Sequence, residues 1–227
     1  MGYSFVRFLA FLCAKLITRV NVEGWENLPR TGSFIATANH IGRLEVFLVY
    51  YFLNRKDIIL IIAEKYRSSR MWRWFARQVN GIFIDRYNAD FTALRAVLKR
   101  LEKGEVLIMA PEGTRSKTGC LQQAYPGAAY LASKSGVSVI PIGITGTEDR
   151  VVWEGLKHFR KAKVHARIGK PYTIPPLRNR DREAQLEIYT EDIMCRIAAL
   201  LPEDYRGFYA DHPGVQDYLT ETQSAIP

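Results

Sequence analysis

The 227-residue chain holds only three cysteines, Cys13, Cys120 and Cys195, and four histidines, His40, His158, His165 and His212. No two cysteines have metal-ligand spacing, and no histidine stands beside a cysteine or a second histidine, which argues against a zinc site. An odd, scattered set of thiols gives no disulfide framework and reads as reduced, in a cytosolic compartment. No internal repeat or low-complexity linker occurs. Long apolar runs are missing as well. Near the N-terminus the charge-free stretch between Arg7 and Lys15 is only seven residues, whereas a spanning helix needs about 20.

What the chain does have is a globular balance, 48% hydrophobic and 24% charged, with a net charge of +9. That length supports one large α/β domain with its own core. The basic excess fits an acidic partner: an anionic membrane surface, a phosphorylated substrate, an acidic carrier or a nucleic acid. Charge alone does not choose among them.

Residues 1–19 read as an amphipathic helix. Phe5, Phe8, Leu9, Leu12 and Leu16 recur at helical spacing, with Ser4, Arg7, Lys15 and Thr18 roughly opposite. No small-residue cleavage site follows. The expectation is a helix lying in a membrane interface; the alternative is a helix packed on the core. Residues 20–210 alternate between short apolar strands and amphipathic helices, which makes the class α/β with a largely parallel central sheet flanked by helices. Strands are expected at 20–23, 34–38, 57–63, 81–84, 105–109, 137–144 and, as an outer strand, 164–168. Helices are expected at 45–53, 66–79, 89–103, 127–134 and 181–201, the last offering Ile188, Ile193, Ile197 and Leu200 to the core. Residues 211–227 read as a loose tail.

Ligands of such sheets gather at the carboxyl ends of strands. Three polar blocks follow strands directly. Asn39-His40-Ile41-Gly42-Arg43-Leu44-Glu45 brings a histidine and a carboxylate near a helix start. Asp85-Arg86 follows a second strand. Pro111-Glu112-Gly113-Thr114-Arg115-Ser116 follows a third. Imidazole takes and releases protons near neutrality, and a carboxylate on its other nitrogen fixes the tautomer. On a straight helix residues five apart lie about 140° apart. His40 and Glu45 therefore meet only if His40 sits in the loop and Glu45 in the first turn, with Gly42 helping the chain bend back. In the third block Gly113 lets backbone N–H groups point inward, Thr114 and Ser116 can donate, and Arg115 offers a fork to phosphate. The structural alternatives are pairing of Arg115 with Glu112 and of Arg86 with Asp85. A further segment, 65–77, mixes Lys65, Arg67, Arg70, Arg73 and Arg77 with Trp72, Trp74 and Phe75. It suits lipid headgroups, a carrier's phosphopantetheine or nucleic-acid phosphates, or is a solvated face over core aromatics.

These blocks, in this order, resemble the glycerolipid acyltransferase family, whose best-known members make phosphatidic acid from lysophosphatidic acid. Asn39-His40 with Glu45 is similar to its His-x4-Asp block, Gly81 to Arg86 to its second block and Pro111 to Ser116 to its third. Val139-Ile140-Pro141-Ile142-Gly143 is similar to its proline-centred fourth. The match spans roughly residues 20–207. The resemblance implies His40 as general base and Glu45 in the position of the orienting carboxylate. It places Arg86, Gly113 and Arg115 at the acceptor phosphate, with Glu112 shaping that pocket, Lys65 nearby and Pro141 on the acyl or donor side. It implies direct transfer of a fatty acyl group from an acyl-CoA or acyl carrier protein thioester to the sn-2 hydroxyl of lysophosphatidic acid. No metal or cofactor is expected, nor a nucleic-acid partner. Membrane lipids are the expected partners, on the cytoplasmic face, in peripheral or monotopic association. The alternatives are another lysophospholipid or lipid acceptor, or a non-catalytic lipid-binding protein. The chain departs from the family pattern at Glu45, where members carry Asp, and at Tyr125-Pro126-Gly127, where members often carry an apolar residue and a Lys.

Overall fold

The computed structural model describes residues 2–223 except 54, 87 and 89. Seven strands form one sheet: β1 (Thr18–Glu23), β2 (Phe34–Ala38), β3 (Ile58–Ala63), β4 (Ile82–Ile84), β5 (Val106–Met109), β6 (Ser138–Thr145) and β7 (Ala162–Ile168). Their spatial order is β1-β7-β6-β2-β5-β3-β4. The run from β6 to β4 is parallel throughout. β7 pairs antiparallel with β6 and parallel with β1. The β-branched runs Ile58–Ala63 and Ser138–Thr145 are buried on both faces, as central parallel strands require.

Helices cover both faces. On one side α4 (Phe91–Leu101), α5 (Gly127–Ser135) and α7 (Arg182–Ala199) enclose a core that includes Val97, Leu131 and Ile193 against Ile35, Leu107 and Val139. On the other lie α1 (Gly2–Ile17), α2 (Glu45–Phe52), α3 (Arg70–Gln78) and α6 (Asp149–Lys157). Local chemistry sets several helix ends. Asp90 accepts from Ala93 N to open α4, Ser69 accepts from Trp72 N to open α3, and Gly136, at φ 66°, closes α5 in the left-handed conformation.

α1 buries its small residues, Ala10 and Ala14, and leaves Phe5, Phe8, Leu9, Leu12 and Leu16 exposed. The structure differs from the sequence expectation in four places. β7 is not an outer strand: it lies second from the edge, and its alternation reflects one covered face. α6 had no expectation at all. From 211 onward the chain forms α8 (Pro213–Gln223), packed on α7 with Val215 buried; residues 224–227 lie outside the described residues. Ile188 is exposed on α7, while Ile193 and Ile197 are fully buried.

Among the described residues no helix is long and apolar enough to cross a membrane.

Candidate active site

β2, β4, β5 and β6 run parallel, so the loops that follow them emerge at one rim of the sheet. His40 leaves β2 in a loop and Glu45 is the first residue of α2. In that placement the two side chains meet: His40 Nδ1 and a Glu45 carboxylate oxygen form a hydrogen-bonded pair. The other oxygen, Oε1, accepts from Ile41 N at 3.0 Å, Gly42 N at 2.7 Å and Thr147 Oγ1 at 2.7 Å. Four donors on one buried carboxylate fix its orientation and, through it, that of the ring. With Nδ1–H donating to Glu45, Nε2 carries the lone pair.

Gly42 is needed for close approach. A Cβ there would stand 1.7 Å from the Thr147 carbonyl oxygen, so any side chain would have to push two loops apart, at a cost of about 1–3 kcal/mol. Asn39 fastens the same junction, donating to Ile144 O at 2.8 Å and accepting from Ile144 N at 2.7 Å.

The third block folds under the histidine. Glu112 is 1% exposed. Its Oε1 accepts from His40 N at 2.9 Å, and Oε2 accepts from Gln122 N at 3.0 Å. Burial raises its pKa, while the His40 and Gln122 donors act the other way. Glu112 is thus a brace between two loops. Ser116 N donates to His40 O at 2.7 Å, closing the link. Ser116 is buried and its hydroxyl accepts from Gly119 N at 3.1 Å, which shapes the turn at the edge of the cleft. Gly113 sits at φ 68°, and a Cβ there would come 3.0 Å from the Tyr125 ring. The Tyr125 departure therefore lays an aromatic ring over this glycine.

Arg86 and Arg115 take neither Asp85 nor Glu112, the carboxylates weighed as structural alternatives, as partner. Arg86 Nη1 donates to Gly113 O, tying the second block to the third. Arg115 Nη1 lies 3.5 Å from Asp149 Oδ2, which also pairs with Arg43 at 2.9 Å. Thr114 is exposed beside them. Lys65 is exposed in a single turn after β3, its ammonium 5.2 Å from the Tyr66 ring centre. Pro141 is in the middle of β6, paired with Thr37. A cleft of about 480 Å³ opens at the rim, lined among others by Ile41, Arg115, Lys117, Glu148 and Arg150. Among the described residues no group of three or more His, Cys, Asp or Glu side chains is placed to hold a metal ion.

Sequence reasoning missed Thr147 and Asp149. The available signal was their position: Gly146-Thr147-Glu148-Asp149 follows β6 at the rim where the other three blocks gather.

Fold and site define an α/β protein that presents a carboxylate-held imidazole beside a cleft lined by charges of both signs. The profile of the family described as Acyltransferase matches residues 19–145, and the chain belongs to that family. It is 30% identical over 155 residues to the chloroplastic 1-acyl-sn-glycerol-3-phosphate acyltransferase LPAT1 of Arabidopsis thaliana, covering 63% of this chain and 42% of that protein. The chain thus spans less than half the length of this plant relative. It is 23% identical over 181 residues to the 1-acyl-sn-glycerol-3-phosphate acyltransferase of Bacillus subtilis, covering 80% of this chain and 87% of that one. The crystal structure of the 1-acyl-sn-glycerophosphate acyltransferase PlsC from Thermotoga maritima superimposes with a TM-score of 0.59 at 27% identity, over 84% of this chain and 79% of that one.

Proposed function

We propose that the protein transfers a fatty acyl group from a thioester to the sn-2 hydroxyl of lysophosphatidic acid, giving phosphatidic acid. The observation that carries this reading is the His40–Glu45 pair at the rim where Arg115 and the Gly113 turn also gather. The names of its relatives point to the same acceptor.

In this reading His40 Nε2 takes the acceptor's hydroxyl proton as the oxygen attacks the thioester carbonyl. Glu45 steadies the imidazolium that forms. The tetrahedral intermediate collapses with breakage of the C–S bond. The imidazolium then returns its proton to the departing sulfur, and the products are ester and thiol. No acyl-enzyme is needed. Arg115, Thr114 and Gly113 hold the acceptor phosphate, with Arg86 stiffening the Gly113 turn from behind. Lys65 and Glu112 stand at one remove. The donor is an acyl-CoA or an acyl carrier protein thioester. Work at the surface of a membrane, for which the cytoplasmic face is the side we propose, draws its support from the outward-facing Phe5, Phe8, Leu9, Leu12 and Leu16 of α1, which also carries Arg7 and Lys15 and no acid.

The test is thiol release from palmitoyl-CoA, and from a palmitoyl carrier protein, with and without lysophosphatidic acid. Acceptor-dependent release from either donor is expected. Release that ignores the acceptor would mean hydrolysis, and no release from either would remove the reading.

A further inference from the structure

The end of α6 carries an aromatic residue in a place made for glycine. Arg160 N donates to Gly155 O at 2.8 Å and Phe159 N to Leu156 O at 3.2 Å, the two bonds that close a helix in the Schellman pattern. In that pattern the residue after the cap is left-handed, and here it is Phe159, at φ 53°. A side chain with a Cβ is disfavoured there, and glycine is the usual occupant. Phe159 is also 100% exposed, so packing within the chain does not compensate. Trp153, 60% exposed, and Leu156, 41% exposed, precede it at intervals of three along α6.

Charge and position say what covers these side chains. Between 150 and 163 the chain holds Arg150, Lys157, Arg160, Lys161 and Lys163 against a single acid, Glu154, which pairs with Lys157. Lys161 Nζ donates to Lys15 O at 2.8 Å, joining this tip to the end of α1. The register fixes where the tip lies. β7 runs antiparallel to β6 with His165 opposite Thr145, so Ala162 and the turn before it project past the carboxyl end of β6. Thr18, directly after α1, pairs with Ala162. The Phe159 turn, the end of α1 and the His40 rim therefore share one end of the sheet.

We infer that the α6–β7 tip is a second docking element for an anionic lipid surface: Phe159, Leu156 and Trp153 enter the interface while Arg160, Lys161 and Lys163 meet headgroup phosphates. This rests on the reading that the protein works at a lipid surface, and adds an element of its own to it. Apolar side chains ringed by cations suit such a surface. Because α6 begins at Asp149, the partner of Arg115, docking through its far end also orients the cleft toward the lipid.

The experiment uses the full chain with vesicles of phosphatidylcholine, pure or containing phosphatidylglycerol, and compares wild type, Phe159→Gly and Trp153→Gln. Glycine suits the left-handed cap, so Phe159→Gly should melt at the wild-type temperature or above it. Its partitioning to phosphatidylglycerol vesicles should fall about tenfold, the loss of one interfacial aromatic. Trp153→Gln should fall in the same direction, while turnover on detergent-dispersed substrate stays at the wild-type rate in both. Unchanged vesicle binding in both variants would overturn the inference and leave the lipid-surface reading standing. Absence of binding by the wild type would overturn both. A tip that serves self-association would show as a change in sedimentation without vesicles and unchanged vesicle binding, which also overturns it.

Discussion

Thr147 donates a hydrogen bond of 2.7 Å to Glu45 across 102 residues of chain. The bond joins the loop after β6 to the helix start that holds His40. Thr147 is fully buried, so its hydroxyl has a structural task. Thr147→Val should leave Glu45 short of one donor and its ring partner less firmly set. The expected loss is about tenfold in kcat, the worth of one buried hydrogen bond, with KM for both substrates unchanged and recovery in Thr147→Ser. Steady-state kinetics on the three proteins decide it. A loss confined to KM would place Thr147 in substrate binding.

Glu45 carries one methylene more than the family's usual Asp, and the loop is built to that length. Its two oxygens reach His40 Nδ1, two backbone N–H groups and Thr147 together. Glu45→Asp should therefore lower activity on the order of 100-fold, because a shift near 1 Å in a positioned base is costly. A more active Asp variant would show that this chain's loop is not adapted to Glu.

Arg115 faces the cleft with Asp149 as its partner inside the protein. Arg115→Ala should raise KM for lysophosphatidic acid by about tenfold or more, the value of a charge-assisted contact, and leave the donor's KM alone. Kinetics with each substrate varied in turn make the distinction. A rise confined to the donor would move Arg115 to the other substrate.

Cys195 sits between α7 and α8, its sulfur 3.0 Å from His212 Nδ1. Burial, with Glu191, Asp192 and Asp217 nearby, pushes its thiol up to about 12 from 9.0. A raised value means that the neutral thiol is the form the fold favours. Its contribution to stability is complete below pH 9 and drains away as pH climbs toward 12. Melting temperatures across that window should fall less steeply in Cys195→Ala than in wild type. Below pH 9, alkylation of the folded protein should reach Cys13 and Cys120, both half-buried, before Cys195.

Much of this was legible in the sequence, for identifiable reasons. Ile58–Ala63 and Ser138–Thr145 are continuous β-branched runs that only a covered strand explains. His40 and Glu45 announce their geometry by lying on either side of a helix start. α6 was illegible because its inward residues are Val152 and Gly155, too few and too small to set a period, while Trp153 and Leu156 face out. α1 showed its period in Phe5, Phe8, Leu9, Leu12 and Leu16, but not that Ala10 and Ala14 would be the stripe packed on the core. Thr147 and Asp149 left no local pattern, because their partners, Glu45 for Thr147 and Arg43 and Arg115 for Asp149, all lie far away in sequence. Tyr125 was noticed only as a departure; the Gly113 backbone gives it a place.

The most direct measurement is acceptor-dependent thiol release by His40→Ala beside wild type, with melting curves on both. His40→Ala is expected to lose about a thousandfold or more in kcat, on a scale set by general-base catalysis, with a melting temperature near that of wild type. Wild-type turnover in the His40→Ala protein would contradict the general-base role of His40.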